Sequence, residues 1–339
     1  MIEKYYDGAI EQVAAGLGTV EKNHLLVRYS GQFSVENLND TKQLEKNEDI
    51  FVQVHEFETG EITCAYEPYL TMICDGFRRY MTGTFEEFME TCDVYYLHRP
   101  VLLGYFNQDN TGREEIILLD EVAYEQERML AALERMLCAI ADRHPVLFVL
   151  NRFQLASKST MQLTARFLKC ENCNIGLVLG VSDIQAMPEF LVPDWEMLYE
   201  TLDDGSKIYH IGNSGRKKEE TIDDEKYVDY GSEKVYRKLQ NMVEFLDFDQ
   251  AAYYLETIER KIKFDNLLVD DAARFRMWLL FVKVSILRQD IPKALEICED
   301  LEKIHLAGKE EECAYEQDYL IATAYMYLSL IHISEPTRR

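Results

Sequence analysis

Basic charge, proline and long apolar stretches are what this sequence has least of. Lys and Arg total 36 against 61 Asp and Glu, a net charge of −25, and no basic run exceeds Arg216-Lys217-Lys218. Gripping a phosphate backbone by displacing counterions needs a Lys/Arg surface, so direct nucleic-acid binding by this chain is not expected. No window approaches the roughly 18 uncharged apolar residues of a membrane-crossing helix. The start, Met1-Ile2-Glu3-Lys4-Tyr5-Tyr6-Asp7, lacks the basic-then-apolar pattern of a secretory signal. A membrane partner is therefore not expected. Seven prolines and 16 glycines in 339 residues exclude a collagenous or low-complexity chain. The eight cysteines are scattered, mostly within apolar segments, which fits reduced thiols in a cytoplasmic protein.

What is abundant is core material. Hydrophobic residues make up 47% of the chain, with 21 Tyr and 16 Phe, enough for two domains over this length. Residues 1–22 carry Ile2, Tyr5, Tyr6, Ile10, Val13 and Ala14 at helical spacing and read as an amphipathic helix ending near Gly16-Leu17-Gly18. Short apolar runs of strand length follow at 25–29, 50–54, 146–150, 175–179 and 208–211, separated by helical patterns at 67–82, 84–92, 121–142, 159–169 and 194–203. Continuous rather than alternating hydrophobicity predicts strands buried on both faces, and intervening helices predict crossover connections. Residues 1–212 thus read as one α/β domain with a mostly parallel sheet flanked by helices. A polar stretch with two glycines, 213–231, reads as a linker.

From 232 to 327 the pattern is helical and repeats. Leu246-Asp247-Phe248-Asp249-Gln250-Ala251 and Gln289-Asp290-Ile291-Pro292-Lys293-Ala294 align at an offset of 43 residues, Asp247 on Asp290. The Asp belongs to the turn between two antiparallel helices, and the small Ala to the point where the second helix approaches its partner. Segments 271–288 and 313–327 are then first helices of successive hairpins. Tyr253, Tyr254, Phe264, Phe275, Trp278 and Phe281 sit at helical spacing and read as inter-repeat core rather than an aromatic groove. The run Leu328 to Arg338 resembles the translation of a sequencing adapter. Residues 328–339 are accordingly set apart as an artefactual tail, with further repeats or an output domain expected beyond Tyr327.

Other candidate chemistry is weak. Cys170-Glu171-Asn172-Cys173 has no second Cys pair or paired His nearby for zinc, and a helix ends at it rather than starting there, unlike a thioredoxin-type motif. His55 and His98 belong to no H-E-x-x-H pattern, and Asp120 reads as a helix cap. No metal site and no catalytic residue is assigned.

Several landmarks occur in an order that resembles the nucleotide-binding domain of signal-transduction ATPases with numerous domains, the STAND branch of AAA+-like P-loop proteins. Strand 25–29 opens into a loop at the phosphate-binding position. Strand 51–55 is followed by Glu67-Pro68-Tyr69-Leu70 at the start of a helix. The run His144 to Ala156 is similar to a Walker B strand with its following turn, 174–181 takes the sensor-strand position, and 194–198 with 207–211 resembles the closing helix and strand. The helical part resembles tetratricopeptide-like hairpins, although 43 residues exceeds the roughly 34 of that repeat. The resemblance implies a remnant nucleotide pocket lined by Arg28, Ser30, Gly31, Gln32, Ser34 and Asn151.

The departures fall on the chemistry. A working phosphate loop needs Gly-x-x-x-x-Gly-Lys-(Ser/Thr), in which glycines let backbone N–H groups wrap the phosphates and Lys neutralises them. Residues 30–40 contain only Gly31, the first lysine is Lys42, and Glu36 and Asp40 repel phosphate. Asn151 and Arg152 stand where the family carries magnesium-binding acids, and an amide lacks the anionic oxygen that hard magnesium prefers. The expected function is a non-hydrolysing STAND-like scaffold or sensor with a helical array for a protein or peptide partner, part of a cytoplasmic multidomain regulator, with ATP not expected as a cofactor. The alternative is an ATP-dependent switch with an unconventional phosphate loop. This reading places strands 25–29 and 146–150 side by side in a single layer.

Overall fold

The computed structural model describes residues 2–19, 24–29, 35, 49–58, 60–108, 121–170, 174–182, 187–203, 207–211, 228–304, 321–323 and 325–326. The chain divides into two compact units, Met1–Glu114 with Gln126–Tyr227, and Glu115–Glu125 with Val228–Arg339. Residues 213–227 of the proposed linker and the whole tail, 328–339, lie outside the described residues.

The first unit is α/β. Its elements in chain order are α1 (Ile2–Gly16), β1 (His24–Tyr29), β2 (Phe51–Glu56), α2 (Tyr69–Tyr80), α3 (Phe85–Thr91), α4 (Arg99–Asn107), α5 (Val122–Ala141), β3 (Val146–Asn151), α6 (Lys158–Lys169), β4 (Ile175–Ser182), α7 (Val192–Asp203) and β5 (Lys207–Ile211). The five strands form one sheet in the order β2-β3-β4-β1-β5, and every pairing is parallel. Every residue of β3 and β4 is buried, which is why these runs lack polar alternation.

Side-chain parity sorts the two faces. Leu25, Val27 and Tyr29 of β1, Leu147 and Val149 of β3 and Val178 of β4 pack with Tyr6, Ala9, Ile10 and Val13 of α1. On the other face Phe148 meets the Tyr69 ring of α2 edge-on at 4.7 Å and the Phe167 ring of α6 at 6.3 Å. Each such aromatic pair adds about 0.5–1.5 kcal/mol beyond its buried area. The Glu67-Pro68-Tyr69 segment is seated on the start of α6. The Thr160 hydroxyl donates to the Glu67 carbonyl at 2.9 Å, the Tyr66 N–H donates to Ser159 Oγ at 3.0 Å, and the Tyr69 and Thr164 hydroxyls lie 2.6 Å apart.

One expectation is corrected by the pairing. Strands 25–29 and 146–150 share a parallel layer but are not neighbours, because β4 pairs with both and stands between them. Hydrophobic runs report burial and carry no information on strand order. Helix α1 ends at Gly16, at the expected Gly16-Leu17-Gly18 stop, whereas α4 was not expected, being short and opened by Pro100.

The second unit contains α8 (Glu233–Glu244), α9 (Phe248–Phe264), α10 (Asp271–Leu287) and α11 (Ile291–Leu301). Helix α9 packs on α8, α10 on both, and α11 on α10. The 43-residue repeat is visible in the backbone hydrogen bonds of its turns. The Asp247 N–H donates to the Met242 carbonyl at 2.7 Å and the Leu246 N–H to that of Val243 at 3.2 Å. Their counterparts are Asp290 to Ser285 at 2.8 Å and Gln289 to Ile286 at 2.9 Å. Leu246 (φ 66°) and Gln289 (φ 62°) both take the left-handed conformation, and the dihedrals of Asp247 (−86°, 63°) and Asp290 (−89°, 69°) agree. Phe248 and Ile291, Ala251 and Ala294, Leu255 and Cys298, and Ile258 and Leu301 are buried at equivalent positions. Glu259, itself buried, lies between Lys263 (2.7 Å) and Lys293 (2.9 Å), tying α9 to α11. Of the segment 313–327, only 321–323 and 325–326 are described, as helix.

Gln289 is exposed, so its left-handed backbone is not repaid by side-chain burial. Gln289→Gly is expected to stabilise the helical unit by about 0.5–1 kcal/mol, because glycine adopts this conformation without a Cβ clash. Urea denaturation followed by helical circular dichroism reads the shift; a lower midpoint would refute it.

Candidate functional site

In open parallel sheets, ligands bind outside the carboxyl ends of the strands, where connections leave neighbouring strands in opposite directions. Here β1 leads to β2 at one edge while β4 leads past β1 to β5 at the other, so the switch point lies between β1 and β4. The side chains gathered there come from three strands, β1, β2 and β3, and from α1, while β4 contributes backbone.

Asn151, the last residue of β3, is fully buried, and its Oδ1 accepts a hydrogen bond of 2.7 Å from the Tyr29 hydroxyl at the end of β1. The bond spans β4 at Gly180. A Cβ on Gly180 would lie 2.3 Å from the Tyr6 hydroxyl and 2.5 Å from Asn151 Oδ1. Glycine at this point of a buried strand is therefore a requirement of close approach. Burial pushes the Tyr29 hydroxyl up to about 12, with Glu56 adding to the rise and Arg152 and the Asn151 hydrogen bond opposing it. Tyr6, wholly buried, is raised well above its ordinary value by burial, then by Tyr29 and Glu56. Both hydroxyls stay protonated at any physiological pH, so Tyr29 remains a donor.

Beside this neutral core lies the Glu56 carboxylate with its partners. Glu56 Oε1 lies 3.4 Å from Arg152 Nε, and its Oε2 accepts from the Val35 N–H at 3.1 Å. Arg152 itself holds a left-handed backbone (φ 52°) as the chain turns from β3 into the short Phe153–Leu155 helix. The next turn is pinned by Gln154, whose Oε1 accepts from the Ser182 N–H at 3.3 Å.

The sequence-predicted residues fare unequally. Asn151 lies at the switch point. Arg28 sits on β1 but, by strand alternation, on the face opposite Tyr29, where its guanidinium lies 5.6 Å from the centre of the Tyr199 ring. Arg28 and Asn151 are thus not brought together. Ser30, Gly31, Gln32 and Ser34 lie outside the described residues, as does Asp120. Tyr6, Tyr29, Glu56 and Gly180 were not singled out from the sequence. The signals that carry them are the shared parity of Tyr29 and Asn151 and a glycine interrupting a buried strand. In the helical unit Phe275, Trp278 and Phe281 are buried, whereas Phe264 is 76% exposed.

The donor set does not fit a magnesium-bound triphosphate at Asn151. The amide is neutral, its oxygen already accepts from Tyr29, and Tyr29 holds its proton. Among the described residues no group of three His, Cys, Asp or Glu side chains is placed to hold a metal ion. Also among them, no helix is long and apolar enough to cross a membrane. No family model matches the chain, and no curated protein matches it.

Proposed function

We propose that this chain is a non-hydrolysing STAND-like scaffold or sensor module joined to a tetratricopeptide-like array, and that it works by holding protein or peptide partners within a larger cytoplasmic regulator. One observation carries the reading: the hydrogen bond from Tyr29 to Asn151 across Gly180. A mononucleotide-type arrangement of parallel strands brings the carboxyl ends of β1 and β3 to either side of β4, yet the place for a metal-binding acid is filled by an amide and two buried tyrosines. The support is convergence of the two strand ends; direct adjacency of the strands is absent. For the array, the support is the pair of equivalent turns 43 residues apart, since stacked hairpins generate extended concave surfaces suited to peptides.

Titration of the full chain with a fluorescent ATP analogue and magnesium, paired with a phosphate-release assay, tests the first half. No saturable binding at millimolar nucleotide and no release above blank are expected. Micromolar binding with turnover that is lost on changing Gly31 would replace this reading with the ATP-dependent switch, its phosphates held by Arg28, Ser30, Gly31, Gln32 and Ser34.

A further inference from the structure

Sequence spacing pairs Cys170 with Cys173, but the fold supplies another partner. Cys138, in the last turn of α5, and Cys170, which caps the C-terminus of α6, have their sulfur atoms 3.4 Å apart although 32 residues separate them. The two helix ends are held together independently. Arg166 of α6 pairs with Glu127 of α5 and, through Nε at 2.7 Å, with Glu134. Both cysteines are half-buried, so a small oxidant has access to them. By contrast Cys74, Cys92 and Cys298 are buried, and burial pushes their thiols up to about 12, 11 and 11.

We propose that Cys138 and Cys170 form a reversible, oxidant-driven disulfide that locks α5 to α6 in the α/β unit. The electron acceptor is a low-molecular-weight disulfide of the glutathione class. The hydrogen bond with Cys170, burial, and the carboxylates of Glu134 and Asp142 hold the Cys138 thiol protonated. Either sulfur can donate in this contact, so the exchange is written with Cys170, at the helix end, as the attacking sulfur and Cys138 as the resolving one. The Cys170 thiolate attacks one sulfur of the oxidant, forming a mixed disulfide and expelling one small thiolate. Cys138, losing its proton to solvent, then attacks the Cys170 sulfur and expels the second. Two protein S–H bonds are lost and one S–S bond forms. Two electrons pass to the oxidant, which leaves as two thiols. Closing the sulfurs from 3.4 Å to the bonded distance of about 2.05 Å is a movement of side-chain scale. This inference does not depend on the nucleotide reading, since neither cysteine belongs to the switch-point cluster.

Incubating the full chain with oxidised glutathione and mapping its peptides without reduction tests it. Trypsin leaves Cys138 on 136–143 and places Cys170 and Cys173 together on the peptide starting at Cys170, so a further cut after Glu171 separates them. The expected product joins Cys138 to Cys170, takes two thiols out of titration, and is reversed by dithiothreitol. Cys173→Ser should leave the bridge intact, and Cys138→Ser should trap Cys170 as a mixed disulfide with glutathione. A Cys170–Cys173 bridge, loss of the product in Cys173→Ser, or unchanged thiol titre in the wild-type chain would each overturn the proposal. The wild-type map and the Cys173→Ser map decide the matter even if Cys138→Ser fails to fold.

Discussion

Gly180→Ala, in the central strand, is expected to destabilise the α/β unit by about 3 kcal/mol or more. Overpacking of a buried site costs about 1–3 kcal/mol, and displacing Asn151 from the Tyr29 hydroxyl leaves buried polar groups unsatisfied at a similar cost. The new Cβ meets the Tyr6 hydroxyl at 2.3 Å and Asn151 at 2.5 Å, and neither has room to move: Tyr6 and Asn151 are both fully buried. Because the clash lies partly with the Tyr6 hydroxyl, adding Tyr6→Phe should recover part of the loss. The chain contains two tryptophans, Trp195 in the first unit and Trp278 in the second. In a Trp278→Phe background, Trp195 fluorescence during guanidinium unfolding therefore reports on the α/β unit. A Gly180→Ala midpoint equal to that of the parent would show that Tyr29, Asn151 and Tyr6 do not pack against one another as described.

Ala251→Leu and Ala294→Leu should each cost the helical unit about 1–3 kcal/mol, and by similar amounts. Both alanines are wholly unexposed, and each lies four residues beyond the turn residue it shares with its counterpart, Asp247 or Asp290. The same added isobutyl group must be accommodated at two equivalent inter-helix contacts. Ala272→Leu, on the exposed face at the start of α10, is the control and should change stability little. Trp278, 3% exposed in the middle of α10, is the natural reporter once Trp195 has been replaced by Phe. If one alanine tolerates leucine and the other does not, the two hairpins are not structural repeats.

Much of the secondary structure was legible because its causes are local. Val146 to Leu150 reads as a strand from five consecutive apolar residues, and Thr84 with Glu87 forms the reciprocal cap that starts α3, where the Thr84 N–H meets the Glu87 carboxylate at 2.8 Å. The offset of 43 was legible for the same reason: a turn needing a left-handed residue, an aspartate and a small residue four positions on leaves a pattern that can be aligned by eye. Helix α4 was missed because nine residues opened by Pro100 show too little periodicity to separate from a loop.

The candidate site divides along the same line. That Asn151 replaces an acid, and that the chain after β1 lacks the glycines and lysine of a phosphate loop, are properties of residue identity and spacing. That Tyr29 rather than Arg28 reaches Asn151, that the contact crosses a strand inserted between them, and that Cys170 meets Cys138 are consequences of strand order and helix placement. Those partners lie 122 and 32 residues apart along the chain. Hydrophobic pattern specifies how deeply a segment is buried, while pairing and register, chosen by the packing of the whole sheet, select which side chains it meets there.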